Sequence, residues 1–149
     1  MQIKVVLDAN IFVSALLNPK GSPAKVINAW ITNKFDCVIS IPLLKEITRV
    51  LEYPRLRTKY NLDTKEVIKF LQLINWGAEK VDVSGRFKLC RHPNDDLILE
   101  TAVMGEAKYL VTRDDDIKRD QNLITQMTIH GVTVLSVRAF LERLGNNKL

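Results

Sequence analysis

Cysteine is scarce in this sequence: Cys37 and Cys90 are the only two among 149 residues, each alone among apolar or basic neighbours. That excludes a disulfide-stapled scaffold and a cysteine-based metal site, and it suits a reducing compartment. Histidine is as sparse, with only His92 and His130. Both read as bystanders, His130 in a surface turn before Gly131. No apolar run approaches the roughly 20 residues that a membrane-spanning helix needs, and the first residues lack the charged-then-apolar pattern of a secretory leader. The expected location is the cytoplasm. Internal repeats, linkers and low-complexity stretches are also missing. What remains is 149 residues of 46% hydrophobic content, enough for one compact domain with one core, expected over residues 1–145 with a frayed polar tail at 146–149. Lysine and arginine number 22 against 17 aspartates and glutamates, a net charge of +5. Such a balance mildly favours polyanionic partners and identifies none.

Strand-like and helix-like patterns alternate along the chain. Ile3, Val5, Val6 and Leu7 read as a buried strand, followed by helical spacing at Ile11, Phe12, Ala15 and Leu16. "NPKGSP" makes a turn into a second helix reaching about Asn33. "FDCVISI" reads as a strand, and Pro42 in "PLLKEITRVL" fits a first helical turn. Residues 64–76 carry an apolar stripe of Val67, Phe70, Leu71 and Ile74, with Gly77 as the stop. "EKVDV" suggests a short strand, "NDDLILETAVMGE" a helix capped by Asn94, "AKYLVT" and "GVTVLS" two further strands, and "VRAFLERLG" a terminal helix. Strands alternating with helices predict an α/β fold: a central parallel sheet of four to five strands between helical layers.

Acids recur where the predicted strands end. Asp8 interrupts "KVVLDANIFVSALL" at a strand-to-helix junction; Glu46 lies one turn into the helix after residues 36–41; Asp95 and Asp96 open a later helix; Asp114, Asp115 and Asp116 follow "LVTR" directly. In open α/β sheets the ligand crevice lies beyond the carboxyl ends of the strands, so four distant segments deliver carboxylates to one edge. Each acid alone has a plain structural explanation as a helix cap, a dipole partner or a solvated loop residue. Asp115 is read as solvated. Four such placements together are hard to explain that way, because like charges crowded at one edge repel unless a cation neutralises them. Carboxylate oxygens suit Mg²⁺ or Mn²⁺, which bridge protein carboxylates to substrate phosphates.

These residues carry a resemblance. "VVLDANIFVSALL", "LLKEITRVL", "HPNDDLILETAV" and "AKYLVTRDDDI" together resemble the PIN-domain ribonucleases, and more narrowly the PIN-family toxins of bacterial and archaeal toxin–antitoxin systems, over nearly the whole chain. The resemblance implies a PIN-like three-layer sandwich and metal-dependent endonucleolytic cleavage of single-stranded RNA with Mg²⁺ or Mn²⁺. It also implies a cognate antitoxin protein and a homodimer. It matches Asp8 to the first acid, Asn10 to the polar residue after it, and Glu46 to the second acid. Asp95 matches the third, with Asp96 adjacent and able to share the role. Asp114 matches the fourth, Asp116 an additional acid, and Thr112 the hydroxyl before that loop. By this match Asp8, Glu46, Asp95 and Asp114 are the catalytic set, and Asp96 and Asp116 join them as metal ligands.

An RNA substrate needs basic contacts near the acids. "YPRLRTKY" carries Arg55, Arg57 and Lys59 between Tyr53 and Tyr60, and "GRFKLCRHP" brings Arg86, Lys88 and Arg91 toward Asp95. Two rival functions share some of these features. An aspartate-nucleophile phosphatase also opens with an Asp after a first strand, but its second acid is replaced here by Asn10 and its hydroxyl by Phe12. A PIN-like module that binds RNA or protein without cutting is the remaining alternative, against which the full set of acids argues.

Overall fold

The computed structural model describes residues 2–86 and 93–149; for residues 93–95, 115 and 116 it describes the backbone alone. Five strands, β1 (Lys4–Leu7), β2 (Asp36–Ser40), β3 (Glu79–Val81), β4 (Tyr109–Val111) and β5 (Thr133–Leu135), form one sheet in the order β3-β2-β1-β4-β5. Every neighbouring pair is parallel, with Val5 opposite Cys37 on one side and Tyr109 on the other. Successive residues of a strand point to opposite faces, and Val5, Val6 and Leu7 are all fully buried, so both faces of the sheet are covered. That is the predicted parallel sandwich, with its polar strand, β3, at an edge.

Each inner strand feeds a helix after a short junction. β1 passes through extended Asp8 into α1 (Ala9–Leu17), which packs on α2 (Ser22–Ile31). β2 ends at Ser40, the N-cap of α3 (Ile41–Leu51), with Pro42 in the first turn as predicted. α3 leads into α4 (Pro54–Tyr60), a helix the sequence reading did not assign, and then α5 (Thr64–Gly77), whose N-cap Asp63 accepts a bond from the Lys65 N–H. α6 (Pro93–Met104) packs against β1, β2 and β4. β4 leads to a single-turn helix, α7 (Asp115–Lys118), then α8 (Gln121–Ile129), which was also unassigned, and β5 leads through Ser136 to α9 (Val137–Gly145). Phe140 of α9 meets Phe35 and Tyr109 edge-to-face, with ring centroids 5.2 and 6.0 Å away.

Several boundaries differ from expectation. α6 already includes Asn94 instead of being capped by it, and it stops at Met104 where a helix to Glu106 was expected. The helix ends where Glu106 turns left-handed (φ 54°), and Gly105 there lies tight against β2: a Cβ on it would lie 2.4 Å from Val38 Cγ1 and 3.0 Å from the Thr101 carbonyl oxygen. Only glycine lets the chain approach β2 so closely. In the tail, the Lys148 N–H donates to the Arg143 carbonyl at 2.8 Å, and Leu149 packs partly buried against the core. Cys37 is a buried core residue whose thiol burial pushes up, and Cys90 and His92 lie outside the described residues. Among the described residues no helix is long and apolar enough to cross a membrane.

Candidate active site

The strand order places β1 and β4 side by side, where the sheet winds one way toward β3 and the other way toward β5. The crevice at such a switch point is where open α/β sheets bind ligands, and Asp8 and Asp114 stand on its two sides. Asp8 leaves β1 with its own N–H bonded to the Val111 carbonyl of β4 at 3.0 Å. One carboxylate oxygen, Oδ1, accepts the Ala9 N–H at 2.7 Å and caps α1; the other, Oδ2, accepts the Thr112 hydroxyl at 2.7 Å. Capping and a site role are therefore compatible in this residue. Thr112 is fully buried, and its Oγ1 also accepts the Asp114 N–H at 3.0 Å. One hydroxyl thus fixes the Asp8 carboxylate and the backbone of the Asp114 loop in a single arrangement.

Electrostatics joins a third acid to the pair. Burial raises the Asp8 carboxyl above the usual carboxylate range, the bonds from Thr112 and Ala9 oppose that, and the charge of Asp114 adds to it. Glu46 of α3 is raised as well, by burial and then by the charge of Asp8, with Arg49 one turn further on pulling the other way. Asp8 thus feels the charge of Asp114, and Glu46 that of Asp8. Arg49 was not anticipated: it lines one cleft together with Lys45, Glu46, Leu97 and Ile98. Its spacing of three from Glu46 on one helix was the available signal.

α6 supplies the remaining acids. Asp96 is buried in its first turn, while the Asp95 side chain, the favoured third acid, lies outside the described residues, as does that of Asp116. The packing of α6 on β1, β4 and α3 brings its start to the elements that carry the other three acids. Glu100, unremarked in the sequence, is buried too; it accepts the Ser84 hydroxyl at 3.0 Å, the Gly85 N–H at 2.9 Å and the Ser84 N–H. This carboxylate ties Ser84 and Gly85, just before Arg86, to the second half of α6. Among the described residues no three His, Cys, Asp or Glu side chains converge closely enough to hold one ion. The donor set is nonetheless that of a hard divalent cation, all oxygen and mutually repelling.

The predicted supporting residues separate into groups. Asn10 is exposed in the first turn of α1. Arg55 and Lys59 are exposed on α4, but Arg57 is half-buried, with Nε donating to the Leu51 carbonyl at 3.1 Å and a terminal nitrogen to the Thr64 hydroxyl at 2.9 Å. Arg57 stitches α4 to the helices on either side. Arg86 is exposed, and Lys88 and Arg91 lie outside the described residues.

A parallel α/β sandwich with carboxylates at its switch point belongs to the class of open α/β sheets that bind ligands beyond the strand ends. Within that class, residues 4–116 match the model of the PIN domain, and the chain belongs to the PIN-domain family. PIN domains are generally nucleases. The uncharacterized protein MJ1680 of Methanocaldococcus jannaschii is 30% identical over 144 residues, 95% of this chain and 92% of that protein. Two solved structures share the fold. One is VapBC2 from Rickettsia felis bound to a DNA fragment from their promoter, with a TM-score of 0.59, 20% identity, and coverage of 90% of this chain and 98% of that one. The other is a PilT N-terminus domain protein, SSO1118, from Sulfolobus solfataricus P2, with a TM-score of 0.52, 14% identity, and coverage of 95% and 93%.

Proposed function

We propose that this protein is a divalent-metal-dependent endoribonuclease, one nuclease domain that cleaves single-stranded RNA, and the toxin of a toxin–antitoxin pair. The observation that carries this reading is the Asp8–Thr112–Asp114 linkage across β1 and β4, with Asp8 raised by burial and by Asp114. A carboxyl raised by burial and by a neighbouring carboxylate, as Asp8 is, gains most from a cation beside it. Asp8, Glu46, Asp114 and the Asp95–Asp96 pair would hold Mg²⁺ or Mn²⁺, with Asp116 as a further ligand. When bound, such an ion supplies Lewis acidity toward a phosphodiester and its attacking water.

The chain's own residues do the rest. Thr112 keeps Asp8 oriented by holding Oδ2, which leaves lone pairs on both carboxylate oxygens. Positive charge in the crevice would oppose the burial and the neighbouring charge that raise Asp8 and Glu46, and so favour the ionised form of both. Arg49 and Lys45 border Glu46 and would attract the phosphate backbone toward the acids. Arg55, Lys59 and Arg86 extend that attraction along the surface. The fold likeness to VapBC2 supports an antitoxin as the partner; a homodimeric assembly and a cytoplasmic location belong to the same proposal.

A non-cleaving RNA- or protein-binding module is the second reading, favoured by the lack of three converging donors among the described residues. Incubating the protein with end-labelled, unstructured RNA separates the two. Cleavage with Mn²⁺ or Mg²⁺ that stops in EDTA supports the nuclease. Intact RNA at every metal concentration, or full activity in EDTA, contradicts it.

A further inference from the structure

Beside the acids lies a second concavity that none of the roles above uses, an open groove of about 900 Å³. It is near the upper end of the roughly 300–1,000 Å³ spanned by ligand clefts. Ser14, Ser22, Tyr60, Arg113, Lys118 and Arg138 line it, and no carboxylate is among its described lining residues. These residues come from five elements and one loop that the topology gathers at the carboxyl edge of β4 and β5. Arg113 lies between Thr112 and Asp114 in the chain, so the groove and the acid site share the loop that follows β4. Its guanidinium bonds the Ser14 hydroxyl at 3.0 Å, a neutral partner that leaves the charge to act on an anion. Arg138 pairs with Glu142 at 3.3 Å, but their side chains are 90% and 64% exposed, and a surface pair of this kind is readily exchanged. Tyr60 brings an exposed ring from the end of α4, the helix that carries Arg55 and Lys59.

We propose that this groove seats the phosphates of the single strand flanking the scissile bond, with Arg113, Lys118 and Arg138 on the phosphates and Tyr60 stacking an unpaired base. The proposal rests on the ribonuclease reading and deepens it by assigning the strand a path. Continuity with the acid site makes the occupant the substrate's own flanking strand. An aromatic ring among cations favours single strands over duplex, because a paired base offers no free face.

The test is fluorescence anisotropy of a labelled oligouridylate in EDTA over a salt series, so that binding is read without cleavage. Lys118→Gln combined with Arg138→Gln should weaken binding about tenfold at low salt, and the loss of two phosphate contacts should reduce the salt slope by about 1.4. Arg138→Lys should retain most of the affinity. Ser22→Asp separates binding from folding: a carboxylate in the first turn of α2 complements the helix dipole, so the melting temperature should hold or rise while affinity falls several-fold. Wild-type affinity and slope in both the double variant and Ser22→Asp would overturn the proposal. So would equal binding of duplex DNA, or no RNA binding by the wild type. Failure to cleave RNA with Mn²⁺ counts against the nuclease reading alone, because the slopes decide the groove independently.

Discussion

At the scale of single residues, Asp8 concentrates the account. Because burial and Asp114 raise its carboxyl, and Glu46 is raised in turn, the folded state binds protons more tightly at both groups than the unfolded chain does. The metal-free protein should therefore gain stability as pH falls from neutral through these raised values toward the ordinary carboxylate range, and lose it as pH rises again. Chemical denaturation in EDTA across that interval checks the sign, and Asp8→Asn should flatten the dependence. For catalysis, Asp8→Asn and Asp114→Asn should each lower the cleavage rate on the order of 10²-fold or more, while Asp115→Asn should cost little. Single-turnover kinetics on labelled RNA distinguishes them, and a comparable loss at Asp115 would shift the register of "RDDD". Asp8 and Asp114 were legible in the sequence because each follows a predicted strand, whose end faces the crevice, and Thr112 because it matches the hydroxyl of the family's motif. Arg49 and Glu100 were not. A charge inside a helix announces neither the cleft it borders nor the loop it will hold, and the bonds from Ser84 and Gly85 reach Glu100 across 15 or 16 residues.

At the scale of elements, the inner strands and the helices directly after β1, β2 and β5 were readable because buried parallel strands are apolar runs and their helices begin with cap or proline signals. α4 was read as a connection because none of its residues is buried, so it has no apolar stripe to display. Its position depends on Arg57 instead. Arg57→Gln should release it from Leu51 and Thr64 and cost about 1–2 kcal/mol, by loss of two bonds from a charged donor. Thermal melting and amide exchange in residues 54–60 would detect this. The end of α6 depends on Gly105: Gly105→Ala should cost about 1–3 kcal/mol, because its Cβ would overlap Val38 and the Thr101 carbonyl. A variant as stable as wild type would mean that α6 can shift on β2. α8 escaped the reading because only Leu123 and Met127 of its residues are buried, too few to make a period visible.

At the scale of the whole molecule, the sheet order determines what the acids can do together. Placing β4 beside β1 sets Asp114 next to Asp8 across 105 intervening positions, and packing α3 and α6 onto the same side adds Glu46 and Asp96. No local pattern shows that juxtaposition or the groove beside it, since Tyr60, Arg113 and Arg138 meet only after the chain has folded. The central claim is that these carboxylates form a cation site whose repulsion is unrelieved in the metal-free protein. Thermal melts of wild type and Asp8→Asn, each in EDTA and across a Mn²⁺ titration, test it most directly. Since the surroundings favour the neutral form of Asp8, the uncharged isostere should melt higher than wild type in EDTA. It should also gain much less from Mn²⁺, because an ion that binds only the folded state stabilises by mass action in proportion to its affinity. If Asp8→Asn leaves the metal-free melting temperature unchanged and responds to Mn²⁺ as wild type does, Asp8 is a helix cap and the cation site is not there.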